Sequence, residues 1–315
     1  MRPATIQEAD PSQSELGLES VPCNLCGSTA ATVVLQANTQ AADLRAAAFA
    51  CTSPTVGQHG TIVRCDVCAL EYTNPRPNAA MLDRLYVAVE DTAYLEEEEA
   101  RLATFRYEVR RLAKHSPRGR LLDIGAHVGT FLRVARDAGY EVSGVEPSEW
   151  AARYARETHD LDVRPTTVSN AGFPMESFDL VSMWDVVEHF ADPQSELREV
   201  ARFVKSGGVF ALTTMNVGSL APRLLRGRWP WYMLMHQYYF TPETLSRMLE
   251  KAGFEVMAVE PHVRIVYVRY MVSKLDAYSP TLHRVAQFLT ERTGLGSLRV
   301  PVNFGDLMTV YARKV

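Results

Sequence analysis

The stretch LLDIGAHVGTFL, residues 121–132, decides the fold. Apolar residues run into Asp123, glycines follow at 125 and 129, and the apolar spacing then becomes helical. This is a strand, a tight turn and a helix. Glycine lets the backbone turn sharply and lets a ligand approach closely. The spacing is Gly-x-x-x-Gly, not the Gly-x-Gly-x-x-Gly of dinucleotide loops, and an acid stands two residues before the first glycine. A carboxylate there repels a pyrophosphate and suits a cationic amine. The next apolar run, EVSGVEPS, ends near Glu146. An acid at the tip of a second strand, about 20 residues beyond such a loop, can accept two hydrogen bonds from a ribose diol.

Outward from the loop, short apolar runs predict strands at 120–124, 141–145, 161–164, 178–183 and 208–214. Helical spacing predicts helices near 129–138, 148–158, 192–204 and 241–252. Such alternation predicts an α/β fold with a doubly wound parallel sheet. FEVMAVEP (254–261) and DLMTVYARK (306–314) add two strands, for seven in all, with a helical insertion at about 265–294 between them.

Upstream, the chain divides at 1–20, 21–77, 78–117 and 118–315. Residues 1–20 are polar and acidic, lack an apolar signal core and read as a disordered tail. Residues 78–117 read as a helical linker or lid, with Asn78 as a cap and an apolar stripe through Leu95, Leu102, Phe105, Val109 and Leu112. Residues 21–77 hold Cys23-x-x-Cys26 and Cys65-x-x-Cys68, separated by 38 residues. Two such pairs complete a tetrahedral zinc site, and four protein ligands make it structural. The Ala-rich and Gly/Pro-punctuated segment between the pairs bulges out as an insertion, and Cys51 within it reads as a free buried thiol.

From Asp123-Ile-Gly125-Ala-His-Val-Gly129 onward the sequence resembles the class I S-adenosylmethionine-dependent methyltransferases, over about 118–315. The resemblance implies a Rossmann-like seven-stranded sheet and binding of S-adenosylmethionine. It places Asp123, Gly125, Gly129 and Glu146 at the cofactor, Thr167 and Val168 around the adenine, and Trp184 and Asp185 by the methionine moiety. His127 departs from the pattern, standing where a small residue is common. PCNLCGS, VRCDVCALEYTNPRP and the His/Tyr-rich LLRGRWPWYMLMHQYYFTPETLSRMLEKAGFEV resemble a bacterial small-molecule subgroup with a zinc ribbon.

Methyl transfer from a sulfonium is an in-line displacement, so alignment at near-attack distance is the main requirement and a base is optional. His236, before the Thr241 cap, and His189, in the loop after the fourth strand, are the candidate bases or acceptor-orienting residues. His59, His115, His159, His262 and His283 carry no motif and read as surface or packing residues.

The acceptor expected is a sugar, a quinone-like compound or a natural-product intermediate. Two other readings compete: an RNA methyltransferase using the ribbon, and a non-catalytic zinc and cofactor scaffold. Against RNA, the basic residues of 21–77 are Arg45, Arg64 and Arg76, balanced by Asp43, Asp66 and Glu71, and the chain's net charge is -4. With 47% hydrophobic residues, but no apolar run of the roughly 20 needed to span a bilayer, the sequence predicts a cytoplasmic protein with a small-molecule partner. The ribbon is expected to pack over the acceptor pocket or to mediate a homodimer contact.

Overall fold

The computed structural model describes residues 17–315 apart from 54, 56, 117 and 278. Most of the expected 1–20 tail therefore lies outside the described residues. Its last part is corrected: β1 (Leu18–Glu19) pairs antiparallel with β5 (Arg76–Pro77).

The cysteine-bearing segment contributes β2 (Ala31–Leu35), β3 (Ile62–Cys65) and β4 (Glu71–Thr73) to an antiparallel sheet. Helices α1 (Ala79–Val87) and α2 (Glu98–Leu112) follow. The Asn78 side chain accepts from the Met81 amide at 2.9 Å, capping α1 as its sequence predicts.

The main sheet then begins. Its elements in order are β6 (Arg120–Ile124), α3 (Thr130–Asp137), β7 (Glu141–Val145), α4 (Glu149–His159), β8 (Val163–Arg164), β9 (Phe178–Trp184), α5 (Pro193–Phe203) and β10 (Val204–Met215). After β10 come α6 (Leu220–Leu225), β11 (Tyr238–Tyr239), α7 (Pro242–Lys251) and β12 (Phe254–Pro261). The expected insertion holds α8 (Val268–Lys274) and α9 (Pro280–Thr293), but also a ribbon of β13 (Arg264–Tyr267) with β14 (Arg299–Val302). β15 (Leu307–Lys314) closes the chain.

The seven-stranded sheet runs β12-β15-β10-β9-β6-β7-β8. It is mixed: β15 lies antiparallel to β10 and β12, while the other pairs are parallel. A hairpin-like return through the ribbon inserts β15 between two strands that the βαβ rule alone would leave parallel. This is the class I methyltransferase fold, with the four-cysteine cluster at its N-terminal side. Among the described residues no helix is long and apolar enough to cross a membrane.

The cysteine segment is not a separate bead. β11 adds to its sheet, with Tyr238 opposite Tyr72 and Tyr239 opposite Glu71. Cys23, Cys65 and Cys68 share one buried apolar cluster with Phe178, Val181, Phe210 and Leu245 of the main sheet and its helices. The Lys251 ammonium donates to the Leu25 carbonyl at 2.5 Å. The insertion between the cysteine pairs also folds inward: Ala48, Phe49 and Ala50 pack on Leu82, Val89 and Met233–Met235.

Between α6 and β11 the chain is pinned by Asp306. One carboxylate oxygen accepts from both the Trp229 and Trp231 indoles at 3.0 Å, and Trp229 is fully buried. Asp306→Ala orphans both indole N–H groups, each costing about 1–3 kcal/mol when buried. The expected result is a loss of roughly 2–4 kcal/mol in urea unfolding, with the circular-dichroism spectrum of the folded state unchanged.

Candidate functional site

The carboxyl ends of β6, β7, β9 and β10 open on one cavity of about 580 Å³, roofed by α1, α2, the insertion and the β11 approach. Asp123, Gly125, Glu146, Thr167, Val168, Trp184, Asp185, His189 and His236 all line it. Gly129 shapes the loop from behind.

The loop geometry follows from its glycines. Gly125 and Gly129 have φ of 73° and 79°, and the Gly125 and Ala126 amides donate to the Val145 carbonyl at 2.9 and 3.0 Å. A Cβ at Gly125 would stand 2.5 Å from Val186, and one at Gly129 would stand 2.4 Å from Leu161. Neither position has room for a side chain, and both need the left-handed backbone that glycine adopts without strain. His127 also adopts positive φ, 48°, which turns its ring onto Tyr94 at a centroid distance of 4.1 Å.

Two acids face each other across this loop. Asp123 is buried and accepts from the Ser182 hydroxyl at 2.6 Å. Burial pushes its carboxyl well above the usual range; the Ser182 bond opposes this and the nearby Glu146 adds to it. Glu146 accepts from the His127 and Ser148 amides, both at 2.8 Å. Burial nevertheless outweighs those two amides and raises it to about 7. Three cavity-lining polar atoms have no hydrogen-bond partner among the described residues: both His127 ring nitrogens and the Trp184 indole N–H. Buried polar groups without partners are rare, so a ligand is their expected partner.

At the far end stands Asp185, at φ 55°. It accepts from the Thr213 hydroxyl at 2.9 Å and is ion-paired with Arg264. Burial pushes its carboxyl up, but Arg264 first, then His262 and Thr213, outweigh that and hold it below the usual range. Arg264 lies 4.7 Å over the Trp231 ring. Glu188 is buried, bonded by Thr214 at 2.9 Å, and raised to about 8 by burial and by the Asp185 charge. Glu188, His189 and His236 each bring one ligand-capable atom to within 4.8 Å of the others, as do Cys51, Asp91 and His127.

The two expected histidines differ. His189 is bracketed on both sides, with Nδ1 2.8 Å from the Tyr86 hydroxyl and 3.1 Å from the Met235 carbonyl, and Nε2 3.1 Å from the Asp185 carbonyl. Among the described residues His236 is tied only at Nδ1, which donates to the Trp231 carbonyl at 2.7 Å. Burial first, and the adjacent His189 second, lower it to about 3, so it is neutral at ordinary pH.

Sequence reasoning missed several lining residues: Tyr86, Tyr94, Arg101, Cys51, His262 and Arg264. Cys51 is exposed on the cavity rather than buried in a core. None carries a motif, because they arrive from separate stretches of the chain, at 51, 86–101 and 262–264. Away from the cavity, the Sγ atoms of Cys23 and Cys68 are 3.3 Å apart and those of Cys26 and Cys65 are 3.5 Å apart, with all four within 4.8 Å. Four thiolates on a zinc ion at about 2.3 Å would be spaced at about this distance.

Comparison with known proteins bears on this site. Residues 94–259 match the model of a methyltransferase domain. Over 153 residues the chain is 31% identical to a ubiquinone biosynthesis O-methyltransferase of Methylobacterium sp. (strain 4-46), covering 43% of this chain and 59% of that protein. A protein of the same name from Nitrobacter winogradskyi is 32% identical over 154 residues, covering 44% of this chain and 57% of that one. The chain thus spans less than two thirds of these relatives' length. A SAM-dependent methyltransferase from Thermotoga maritima superposes with a TM-score of 0.47 at 22% identity, over 69% of this chain and 91% of that one. The domain match takes in over half of the residues, from α2 through the glycine loop to β12, and the chain belongs to the class I S-adenosylmethionine-dependent methyltransferase family.

Proposed function

We propose that this protein transfers a methyl group from S-adenosylmethionine to a small-molecule acceptor, with an oxygen of a quinone-like ring as the favoured target. The observation that carries the reading is the placement of Asp123, the Gly125–Gly129 turn and Glu146 around one cavity containing unpartnered polar atoms. The two relatives named as ubiquinone biosynthesis O-methyltransferases support a quinone-like acceptor. The aromatic walls supplied by Tyr86, Trp184, Phe190 and Trp231 suit a planar ring.

The donor set fits the cofactor. Asp123 would hold the cationic amine, and Glu146 the ribose hydroxyls. Thr167 and Val168 would flank the adenine, and Trp184 and Asp185 the methionine portion. When bound, S-adenosylmethionine supplies a methyl group activated by its sulfonium. The chain's own task is alignment and water exclusion. The insertion around Phe49 and the Tyr86 helix cover the cavity, and His189 brackets the loop between Asp185 and Met235. Arg264 fixes the Asp185 carboxylate from the acceptor side. His236 offers Nε2 to orient an acceptor hydroxyl.

Cys23, Cys26, Cys65 and Cys68 would hold a structural zinc ion. Their ligand set is complete, so the ion would brace the β2–β3–β4 sheet that carries β11. Cys26→Ser should lower bound zinc from about one ion per chain to a substoichiometric level by elemental analysis, and lower the melting temperature. Wild-type protein purified without zinc would refute the assignment.

Asp123→Ala should weaken binding of S-adenosylhomocysteine by more than about 100-fold, the scale of a lost buried charge-assisted contact, without unfolding. Methyl-labelled S-adenosylmethionine, incubated with enzyme and a size-fractionated cell extract, should label the small-molecule fraction. Ribonuclease-sensitive label in RNA would overturn the acceptor class.

Glu146 gives a pH dependence with a definite sign. Its folded-state value is raised from 4.5 to about 7, so ionisation costs the unliganded protein stability as pH rises through that window. A ribose diol donating to the carboxylate favours the ionised form. Calorimetric affinity for S-adenosylhomocysteine should therefore tighten between about pH 6 and 8, and Glu146→Gln should flatten that slope.

A further inference from the structure

His262 follows β12, two residues beyond Glu260, and no motif marks it. It is 4% exposed and lines the cavity. Cross-strand register explains why it arrives there. Thr213 on β10 pairs with Trp184 on β9 and with Thr309 on β15, and Thr309 pairs with Glu260 on β12. One row of residues thus crosses the C-terminal edge of the sheet from the expected methionine position to Glu260, and His262 stands two residues beyond it, its amide donating to the Leu307 carbonyl at 3.0 Å. Arg264, two residues further on, reaches back to Asp185 and closes that row.

The imidazole is oriented from behind. Its Nδ1 lies 3.1 Å from the Thr309 hydroxyl and 3.4 Å from a carboxylate oxygen of Glu108 on α2. Glu108 is completely buried, and its other oxygen has no partner among the described residues. Arg111 lies 3.2 Å from Glu108 and also pairs with Glu260, which fixes the carboxylate in place. A buried carboxylate behind Nδ1 selects the tautomer with its proton on Nδ1 and its lone pair on Nε2. In that arrangement the carboxylate also stabilises the imidazolium formed when Nε2 takes a proton. Nε2 has no hydrogen bond among the described residues, so the side of the ring facing the cavity is the one left to act.

We propose that His262 is the general base toward the acceptor, with Glu108 as its positioning residue. This rests on the methyl-transfer reading above. Nε2 removes the proton from the acceptor hydroxyl. The oxygen's electron pair forms the new bond to the methyl carbon, and the methyl–sulfur bond breaks with its pair remaining on sulfur. The proton passes from Nε2 to solvent. His236, held neutral 4.9 Å from His189, then orients the acceptor and does not compete for its proton.

Two measurements test this. Without cofactor or acceptor, ¹⁵N-histidine NMR of the full chain should show His262 protonated on Nδ1; a proton on Nε2 in the wild type overturns the proposal. In the second, the extract fraction that accepts labelled methyl serves as substrate. His262→Ala should lower the rate about 100-fold or more, the usual scale for a general base, while S-adenosylhomocysteine affinity stays within about two-fold. Added imidazole should restore part of the rate, which a packing role would not allow; His262→Asn serves if the alanine variant fails to fold. Glu108→Gln should lower kcat with KM unchanged. A His262 variant with near-wild-type turnover, or one that binds S-adenosylhomocysteine normally but is not rescued by imidazole, overturns the base assignment and leaves methyl transfer intact. Wild-type enzyme that labels no small molecule fails at the earlier reading, and this one with it.

Discussion

The pairing of β4 with β11 is the contact on which the rest of the arrangement depends. Two residues of the segment after the main sheet's fifth strand become an edge of the cysteine-bearing sheet. The joint is reinforced by side chains: Arg76 donates to the Tyr238 hydroxyl at 2.7 Å, and the Thr73 amide and hydroxyl bond to the carbonyls of Gln237 and His236 at 2.9 and 3.1 Å. Strand addition satisfies backbone groups that an exposed edge would leave open. It also fixes where residues 233–240 run, and those residues form one wall of the cavity. The cysteine-bearing sheet is thus joined to that wall through backbone pairing.

A second constraint is electrostatic. Asp123, Glu146, Asp185, Glu188 and Glu108 are acids drawn into or beside one cavity, and two cations, Arg264 and Arg111, answer some of them. Asp185 has its arginine and is held low, whereas Asp123 and Glu146 have, among the described residues, only hydroxyl and amide donors and are pushed upward. Removing a carboxylate from water is costly unless it is paired. The same logic separates the histidines: one is bracketed on both nitrogens, one leans on a carbonyl, and one has a carboxylate behind it.

The glycine loop, the strand rhythm and the paired cysteines were legible because each is local. Asp123, Gly125 and Gly129 lie within seven residues, the strand periods repeat every few residues, and each cysteine pair is a single knuckle. The expected strands at 120–124, 141–145 and 254–261 form with those bounds. The antiparallel course of β15 was not legible, since an apolar run has the same pattern in either direction. Cys51 was misplaced for a related reason: a cysteine in an Ala-rich segment resembles a core residue until the segment is seen folding over a cavity.

By itself the sequence determined the fold class, the family, the loop with its acids and the four thiols, all properties carried by neighbours along the chain. Only the tertiary structure decided what surrounds them. It joined β11 to the cysteine sheet, brought Arg264 onto Asp185, and set Glu108 behind His262 across 153 residues of intervening chain. Such contacts depend on sheet register and helix docking, which sum over many weak interactions far apart in sequence. No short motif can encode them.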